Sequence, residues 1–297
     1  MQRGTITLHD SLDIFLLDCE SRRLTKSTRQ FYKAKLSVFI AWCDSEGIQE
    51  LGKLGAHDIR RFLVHIQRRE LSSQYQHNLA RAIRAFLAFC VRDELIEKSP
   101  FARGQMPRLE KKILQAFSTP DIQRILRQCT TDRDRALCLF LLDSGVRASE
   151  LIALTVDDVN VETGEVWVRA GKGQKQRTSY IGVKTRKQLK RYLAKRNETS
   201  GQAPLFASEH NGESLTISGM VQLMKRLRTR SDVPTCTCHT FRRTFALTCL
   251  RNGMNIYVLA RLMGHSDIVV LRQYLALVEA DLRKAHNDFG VVDKRIG

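Results

Sequence analysis

The sequence predicts a mainly α protein with a four-helix N-terminal domain and a mostly helical second domain that contains a small β-sheet. Apolar residues recur at helical spacing in four blocks, the periodicity then fails over residues 99–117, and two short strand-like segments flank a glycine-bearing turn farther on. We therefore place the domains at residues 5–98 and 118–297, with a basic linker at 99–117.

The N-terminal domain consists of four amphipathic segments between Leu12 and Cys90. Each segment has a one-sided apolar stripe, which predicts four helices around one compact core. Cationic side chains lie outside the stripes, and each of them taken alone is typical of a solvated surface. Taken with the charge of the whole chain they predict a DNA-facing surface, which comprises Lys26, Arg29, Lys33, Arg81 and Arg84.

The chain is strongly basic, because 49 Lys and Arg residues against 31 Asp and Glu residues give a formal net charge of +18. Long-range attraction then favours a polyanionic partner, and nucleic acid is the first candidate. An anionic membrane surface would suit the charge as well, but no apolar run approaches the ~20 residues of a spanning helix. No secretory signal follows Met1, so we expect a cytoplasmic, nucleoid-associated protein without membrane contact.

The second domain alternates helical segments with one predicted hairpin. Segments 165–170 and 177–181 flank Gly171-Lys172-Gly173, which predicts two strands with Lys172 at the tip of their turn. Thr119-Pro120 predicts a helix start with proline at the first helical position. Further helices are predicted from about Asp132 to Asp143 and from near Lys184, Ile217, His239, Asn255 and Ser266.

Eight cysteines raise the question of disulfides or a metal site. Most of them occupy apolar positions of helical segments, which is typical of reduced thiols in a protein core. The run Cys236-Thr-Cys238-His239 is a cluster without the usual spacing or a second pair of ligands. We therefore expect neither a metal nor another cofactor.

Cleaving a phosphodiester without a metal requires cations around the non-bridging oxygens, an acid for the leaving oxygen and a nucleophile in line. Arg147 follows a glycine stop and precedes Ser149, which we interpret as a helix N-cap, so Arg147 would meet a phosphate beside a helix N-terminus. Glu150 is placed to hold this arginine. Arg147 is thus the first candidate for a phosphate ligand.

The second cationic candidate is Arg242, which follows His239 by three residues and would share a helix face with it. Downstream, Leu262-Met-Gly-His265-Ser predicts a helix end, a histidine in the turn and a new helix start. Tyr274 follows as the candidate nucleophile. The other tyrosines are expected to be packing residues, namely Tyr32, Tyr75, Tyr180, Tyr192 and Tyr257.

These residues stand in the order and context of the tyrosine recombinase (phage integrase, Xer-like) family. Ser144–Leu151 resembles the family's first arginine box, and Gly171-Lys172-Gly173 resembles its hairpin lysine. Leu262–Ser266 with Tyr274 resembles its final boxes, and the first domain is similar to its SAM-like core-binding domain. Phe241, Arg243 and Leu271 depart from common family residues and leave the subfamily open.

The resemblance implies a site-specific recombinase that cleaves and rejoins DNA through a 3′-phosphotyrosine bond, without metal or ATP. Tyr274 would attack the phosphate, Lys172 would protonate the 5′-oxygen, and His239 and His265 would assist by proton transfer and hydrogen bonding. Arg147 and Arg242 would bind the non-bridging oxygens. Further DNA contacts are expected from Lys175, Arg177 and Arg243, with plain solvation as the alternative for Lys175 and Arg177.

The expected partner is double-stranded DNA with inverted-repeat half-sites, bound by a homotetramer in the synaptic complex. The segment after Tyr274 resembles the helix that recombinases pass to a neighbouring protomer. A type IB topoisomerase would share the chemistry, and a non-catalytic DNA-binding regulator would share the charge and the helices. The biological role stays open between chromosome or plasmid dimer resolution and integration or excision of a mobile element.

Overall fold

The computed structural model describes residues 6–101, 106–109, 116–169, 176–196, 200–209 and 212–264 of the chain. These residues form eleven α-helices and a two-stranded sheet, so the prediction of a mainly α protein with a small sheet is confirmed. The chain divides into two compact units, Met1–Lys112 and Ile113–Gly297. The division lies inside the segment interpreted as a linker, while the domain bounds themselves stay a prediction.

The N-terminal unit contains four helices, each of which begins where the sequence offers a suitable cap. Hydroxyl side chains of Thr7, Thr25 and Ser72 accept backbone N–H groups at the starts of α1, α2 and α4. A short 3₁₀ turn, Leu51–Lys53, precedes α3. The helices are α1 (Leu8–Ser21), α2 (Lys26–Ser45), α3 (Ala56–Arg68) and α4 (Ser73–Arg92).

The core of this unit is apolar and rich in aromatic rings. Helix α4 packs against the other three helices and brings Phe86 to within 5.7 Å of Phe15, ring centre to ring centre. Phe39 of α2 meets Phe62 of α3 edge to face at 5.0 Å. All four rings are buried, so burial of these side chains holds the four helices together.

The C-terminal unit is organised around a buried helix, α6. Its residues Leu137, Phe140 and Leu141 are completely buried, and α8 and α10 pack against it. Ser118 caps α5, which places Pro120 at the second helical position rather than the first. The helices are α5 (Thr119–Arg127), α6 (Asp132–Ser144), α7 (Ala148–Ala153), α8 (Val183–Arg196), α9 (Ile217–Ser231), α10 (Cys238–Arg251) and α11 (Ile256–Met263).

The sheet consists of β1 (Glu165–Val168) and β2 (Arg177–Tyr180), which pair antiparallel with Val168 opposite Arg177. One face is buried, and the other leaves Tyr180 53% exposed. Tyr257, in the first turn of α11, is 65% exposed. The expectation that these two tyrosines are packing residues is wrong, because each lies on the outward side of its element.

All eight cysteines are free thiols, and five of them are buried. Within the described ranges, no group of His, Cys, Asp and Glu side chains is arranged to hold a metal ion. Across the same ranges, no helix combines the length and the apolar character that crossing a bilayer requires.

Candidate active site

The candidate site begins at the turn between α6 and α7. Gly145 ends α6 in the left-handed conformation, at φ +62°, and its N–H bonds the carbonyl of Leu141. A Cβ atom at this position would come 2.2 Å from the ring of Phe245 on α10. Only glycine suits both the backbone angle and this close approach, so the turn is fixed where Arg147 leaves it.

Arg147 is the N-cap of α7, and the interpretation of Ser149 as the N-cap is wrong. The Glu150 carboxylate, at the third helical position, accepts the Arg147 backbone N–H at 2.7 Å, as the acidic member of a capping box does. The same carboxylate accepts Nη1 of Arg147 at 2.8 Å, as predicted for a residue that holds this arginine. The Arg147 side chain remains 30% exposed and is therefore accessible to a ligand.

Arg242 lies in the second turn of α10 with a side chain that is only 6% exposed. Its Nη1 donates to the carbonyl of Gly145 at 2.6 Å, and its Nη2 donates to the carbonyl of Met263 at 2.6 Å. Arg242 therefore ties the end of α6 to the end of α11. A buried guanidinium requires such partners because desolvating its charge is costly.

The C-terminal end of α11 receives three arginines on three successive carbonyls. Arg177 Nε donates to Leu262 at 2.8 Å, Arg242 Nη2 to Met263, and Arg147 Nη2 to Gly264 at 3.2 Å. Gly264 ends the helix in the left-handed conformation, at φ +63°. Cations at this end also interact favourably with the helix dipole.

Glu150 joins the same three arginines from the other side. Arg177 donates Nη1 and Nη2 to its two oxygens at 2.9 and 2.7 Å, and Nη1 of Arg242 lies 3.9 Å from Oε2. Burial would raise the pKa of Glu150, but hydrogen bonds from Arg177 and Arg147 outweigh burial and lower the pKa to about 2. We call Arg147, Glu150, Arg177, Arg242 and the carbonyls of residues 262–264 the arginine cluster.

His239 is exposed in the first turn of α10, one turn before Arg242. Partial desolvation and the positive charges of Arg243 and Arg242 lower its pKa below the ordinary 6.5. The imidazole is therefore neutral at pH 7, and a neutral imidazole can accept a proton as well as donate a hydrogen bond.

In the N-terminal unit, the predicted DNA-binding cations are distributed on α2 and α4. Arg81 lies over the ring of Phe31 at 5.1 Å, so the two helices present their cations side by side. Arg29 is half-buried and pairs with Glu20. The exposed members are Lys26, Lys33, Arg81 and Arg84.

The structure thus brings Arg147, Glu150 and Arg242 together. It also brings in Arg177, whose side chain is 9% exposed, so the alternative of plain solvation for Arg177 is wrong. No sequence pattern indicated the pairing of Arg177 with Glu150. The predicted residues that lie outside the described ranges are Lys172, Lys175, His265 and Tyr274.

The arginine cluster is suited to binding an anion. Among the described residues of the cluster, guanidinium charges outnumber carboxylates by two, and each arginine is already held by protein partners. Charges that are fixed before a reaction starts stabilise developing negative charge without a cost of reorganisation. The geometry therefore suits a phosphate whose non-bridging oxygens gain charge in the transition state.

Both units match known protein families. Residues 111–280 match the family model described as the phage integrase family, and residues 12–97 match the one described as phage integrase, N-terminal SAM-like domain. The first match covers more than half of the chain and includes the whole arginine cluster, Lys172, His265 and Tyr274.

Individual relatives agree with these matches. The chain is 30% identical over 273 residues to tyrosine recombinase XerD of Pseudomonas aeruginosa, which covers 89% of this chain and 91% of the relative. It is 29% identical to tyrosine recombinase XerA of Thermococcus kodakarensis, over 83% of this chain and 86% of the relative. The Tn1549 transposon integrase in complex with transposon right end DNA shares the fold, with a TM-score of 0.76, 16% identity and coverage of 94% of this chain and 99% of that chain.

Proposed function

Because this chain belongs to the phage integrase family and is a tyrosine recombinase, an enzyme of site-specific DNA strand transfer, we propose that its arginine cluster binds the scissile phosphate. In this proposal Arg147 and Arg242 contact the non-bridging oxygens, and Tyr274 is the nucleophile. The observation that carries the proposal is the anchoring of both arginines on consecutive carbonyls at the end of α11. Two positive charges held in this way match a phosphodiester that becomes more negative as it is attacked.

The proposed step conserves the phosphodiester bond energy. The phenolic oxygen of Tyr274 gives its proton to His239 or His265 and bonds to phosphorus, the bond between phosphorus and the 5′-oxygen breaks, and that oxygen takes a proton from Lys172, so the product is a 3′-phosphotyrosine. His239, neutral at pH 7, and His265 assist by hydrogen bonding and proton transfer. The reverse step on another strand completes recombination, so rejoining requires no nucleotide hydrolysis.

DNA is the binding partner. We propose that it carries inverted-repeat half-sites bound by a homotetramer, since a two-fold symmetric site suits a symmetric assembly. The cations of α2 and α4 then contact the phosphate backbone, together with Lys175 and Arg243. The reaction takes place at nucleoid DNA in the cytoplasm, either in dimer resolution or in movement of a mobile element.

A nicked suicide substrate tests the nucleophile. Wild-type protein should accumulate a covalent adduct because the nicked strand fragment diffuses away, and Tyr274→Phe should accumulate none, with an unchanged affinity for duplex DNA. Tyr257→Phe is the matched control, because Tyr257 is an exposed tyrosine of the same unit and should leave the adduct at wild-type level. An adduct formed by Tyr274→Phe would show that another residue is the nucleophile.

Deletion of residues 279–297 tests the proposed exchange of a C-terminal helix between protomers. We expect the truncated protein to bind a single site normally and to lose cooperative pairing of two sites, as measured by gel shift with one-site and two-site DNA. Pairing at the wild-type level would contradict docking in trans.

A further inference from the structure

We propose that Arg177 is a positioning residue of recombination: it holds Glu150 and the end of α11 so that Arg147 and Arg242 keep their places. The inference rests on the proposed function, since it concerns the same phosphate site. It replaces the expectation that Arg177 contacts DNA. The first support is geometric, because the Arg177 guanidinium forms a two-pronged contact with Glu150 while its Nε bonds the Leu262 carbonyl.

The second support is the fit between Arg177 and Gly264. A Cβ atom on Gly264 would lie 2.8 Å from Nη1 and 2.9 Å from Cζ of Arg177. Gly264 also has φ +63°, so the backbone angle and the close approach both call for glycine. The Arg177 guanidinium therefore packs directly on the backbone of Gly264, after which the chain continues to His265.

The third support is the position of Arg177 in the chain. It is the first residue of β2, five residues after Lys172, and its strand pairs with β1. One side chain thus connects the hairpin that carries the proposed acid with the helix start that carries Arg147 and with the helix end before His265. A shift of Arg177 would disturb three catalytic elements at once.

Charge balance explains why a third arginine is useful. The Glu150 side chain is 10% exposed and ionised, and without Arg177 the described cations left to meet its charge would be Arg147 and Arg242. Arg177 meets both carboxylate oxygens, so the other two guanidinium groups can face a phosphate with less of their field cancelled. Lysine cannot replace it fully, since an ammonium lacks the planar fork.

The test is single-turnover cleavage of the nicked substrate at saturating protein, with Arg177→Gln and Arg177→Lys beside wild type. We expect the rate constant of Arg177→Gln to fall roughly 10- to 100-fold, as for loss of a supporting partner of a reactive group, while the affinity for duplex DNA changes less than twofold. Arg177→Lys should recover part of the rate. A fall in affinity with a smaller salt slope would instead identify a phosphate contact and overturn the proposal.

Arg169→Gln is the matched control, because Arg169 is an exposed arginine on the same hairpin that pairs with the buried carboxylate of Asp158. It should cleave at the wild-type rate. If the loss of a hairpin arginine only unfolded part of the protein, both variants would show a smaller cleaved fraction with an unchanged rate constant. A cleavage rate equal to wild type in Arg177→Gln would overturn the proposal.

A double-mutant cycle with Glu150→Gln locates the effect. If Arg177 acts through Glu150, the double variant should be much less impaired than the product of the two single effects. Independent effects would contradict the positioning role. The proposed nucleophile and the proposed role of Arg177 fail in different experiments. A covalent adduct formed by Tyr274→Phe would refute the nucleophile, whereas cleavage at the wild-type rate by Arg177→Gln would refute only the role of Arg177.

Discussion

The two units of this protein use charge in opposite ways. Among the described residues, Ser11 is the only buried polar or charged residue of the N-terminal unit. The C-terminal unit buries several, including Arg133, Asp134, Asp158 and Arg242. The N-terminal unit keeps its predicted DNA-binding cations on the surface of α2 and α4. Its core is therefore independent of its charges.

This difference follows from what each unit has to do. A surface that follows a phosphate backbone needs only exposed cations, whose attraction acts over distance and is screened by salt. A site that changes the charge on a phosphate needs cations fixed in place and partly shielded from water. In the C-terminal unit the same residues therefore contribute to catalysis and to stability, and substituting them should lower both the cleavage rate and the free energy of unfolding.

The largest effect is expected for Arg242→Ala. Removing this buried guanidinium leaves the carbonyls of Gly145 and Met263 without their donor and should lower the free energy of unfolding by about 3 kcal/mol. Suicide-substrate cleavage should slow by at least about 100-fold, because a fixed charge is lost, and Arg147→Ala should slow it to a similar degree. Urea unfolding and single-turnover cleavage measure the two effects.

Arg124→Ala is the control, because Arg124 is an exposed arginine of the same unit that pairs with Asp121. It should change stability by less than about 1 kcal/mol. If Arg242→Ala cost no more than Arg124→Ala, the contrast between buried and exposed charge would not hold.

The next largest effect is a pH-dependent loss of stability in Glu150→Gln. Because the folded pKa of about 2 lies below the ordinary 4.5, the stabilisation by this carboxylate is complete above pH 4.5 and is lost as the pH falls toward 2. Glu150→Gln should therefore be less stable than wild type by roughly 3 kcal/mol at pH 7, and by less than half of that at pH 3.

Urea titrations followed by Trp167 fluorescence in a Trp42→Phe background would report on the C-terminal unit alone, since Trp42 belongs to the N-terminal core. The control is Glu162→Gln, whose carboxylate is exposed and pairs with Lys190. If wild type and Glu150→Gln differed equally in free energy of unfolding at pH 7 and at pH 3, the lowered pKa of Glu150 would be contradicted.

The smallest effects are expected in the N-terminal unit. Lys33→Ala or Arg84→Ala should weaken duplex binding several-fold and reduce the slope of log K against log salt by about one. Neither should change the cleavage rate at saturating protein. Lys53→Ala, an exposed lysine paired with Glu50, serves as the control and should leave both quantities unchanged. Slower cleavage with unchanged binding would mean that the two units do not divide binding and catalysis.

The fold was predictable because its signals are local. Apolar stripes, capping hydroxyls and the glycines at 145 and 264 determine where helices begin and end, and the structure agrees with them closely. The N-cap of α7 is Arg147 rather than the predicted Ser149, because Glu150 at the third helical position accepts the Arg147 N–H and this bond requires no hydroxyl on the N-cap residue.

The arginine cluster was only partly predictable. Arg147 and Arg242 stand in recognisable motifs, but Arg177 is 27 residues from Glu150 and 85 residues from Leu262, its partners in the structure. Main-chain carbonyls are the same for every residue type, so no sequence pattern identifies those that accept a guanidinium. Contacts of this kind become evident only when the chain is folded.

The three carbonyls at the end of α11 have one more consequence. A carbonyl is a neutral dipole, so it orients a guanidinium without neutralising it, whereas a carboxylate anchor takes away a full unit of charge. Because neutral carbonyls share the anchoring of the three arginines with Glu150, the cluster gains rigidity and keeps more of its attraction for an incoming anion than carboxylate anchors alone would leave. Replacing these neutral anchors with acidic ones would make the site equally rigid and electrostatically inert.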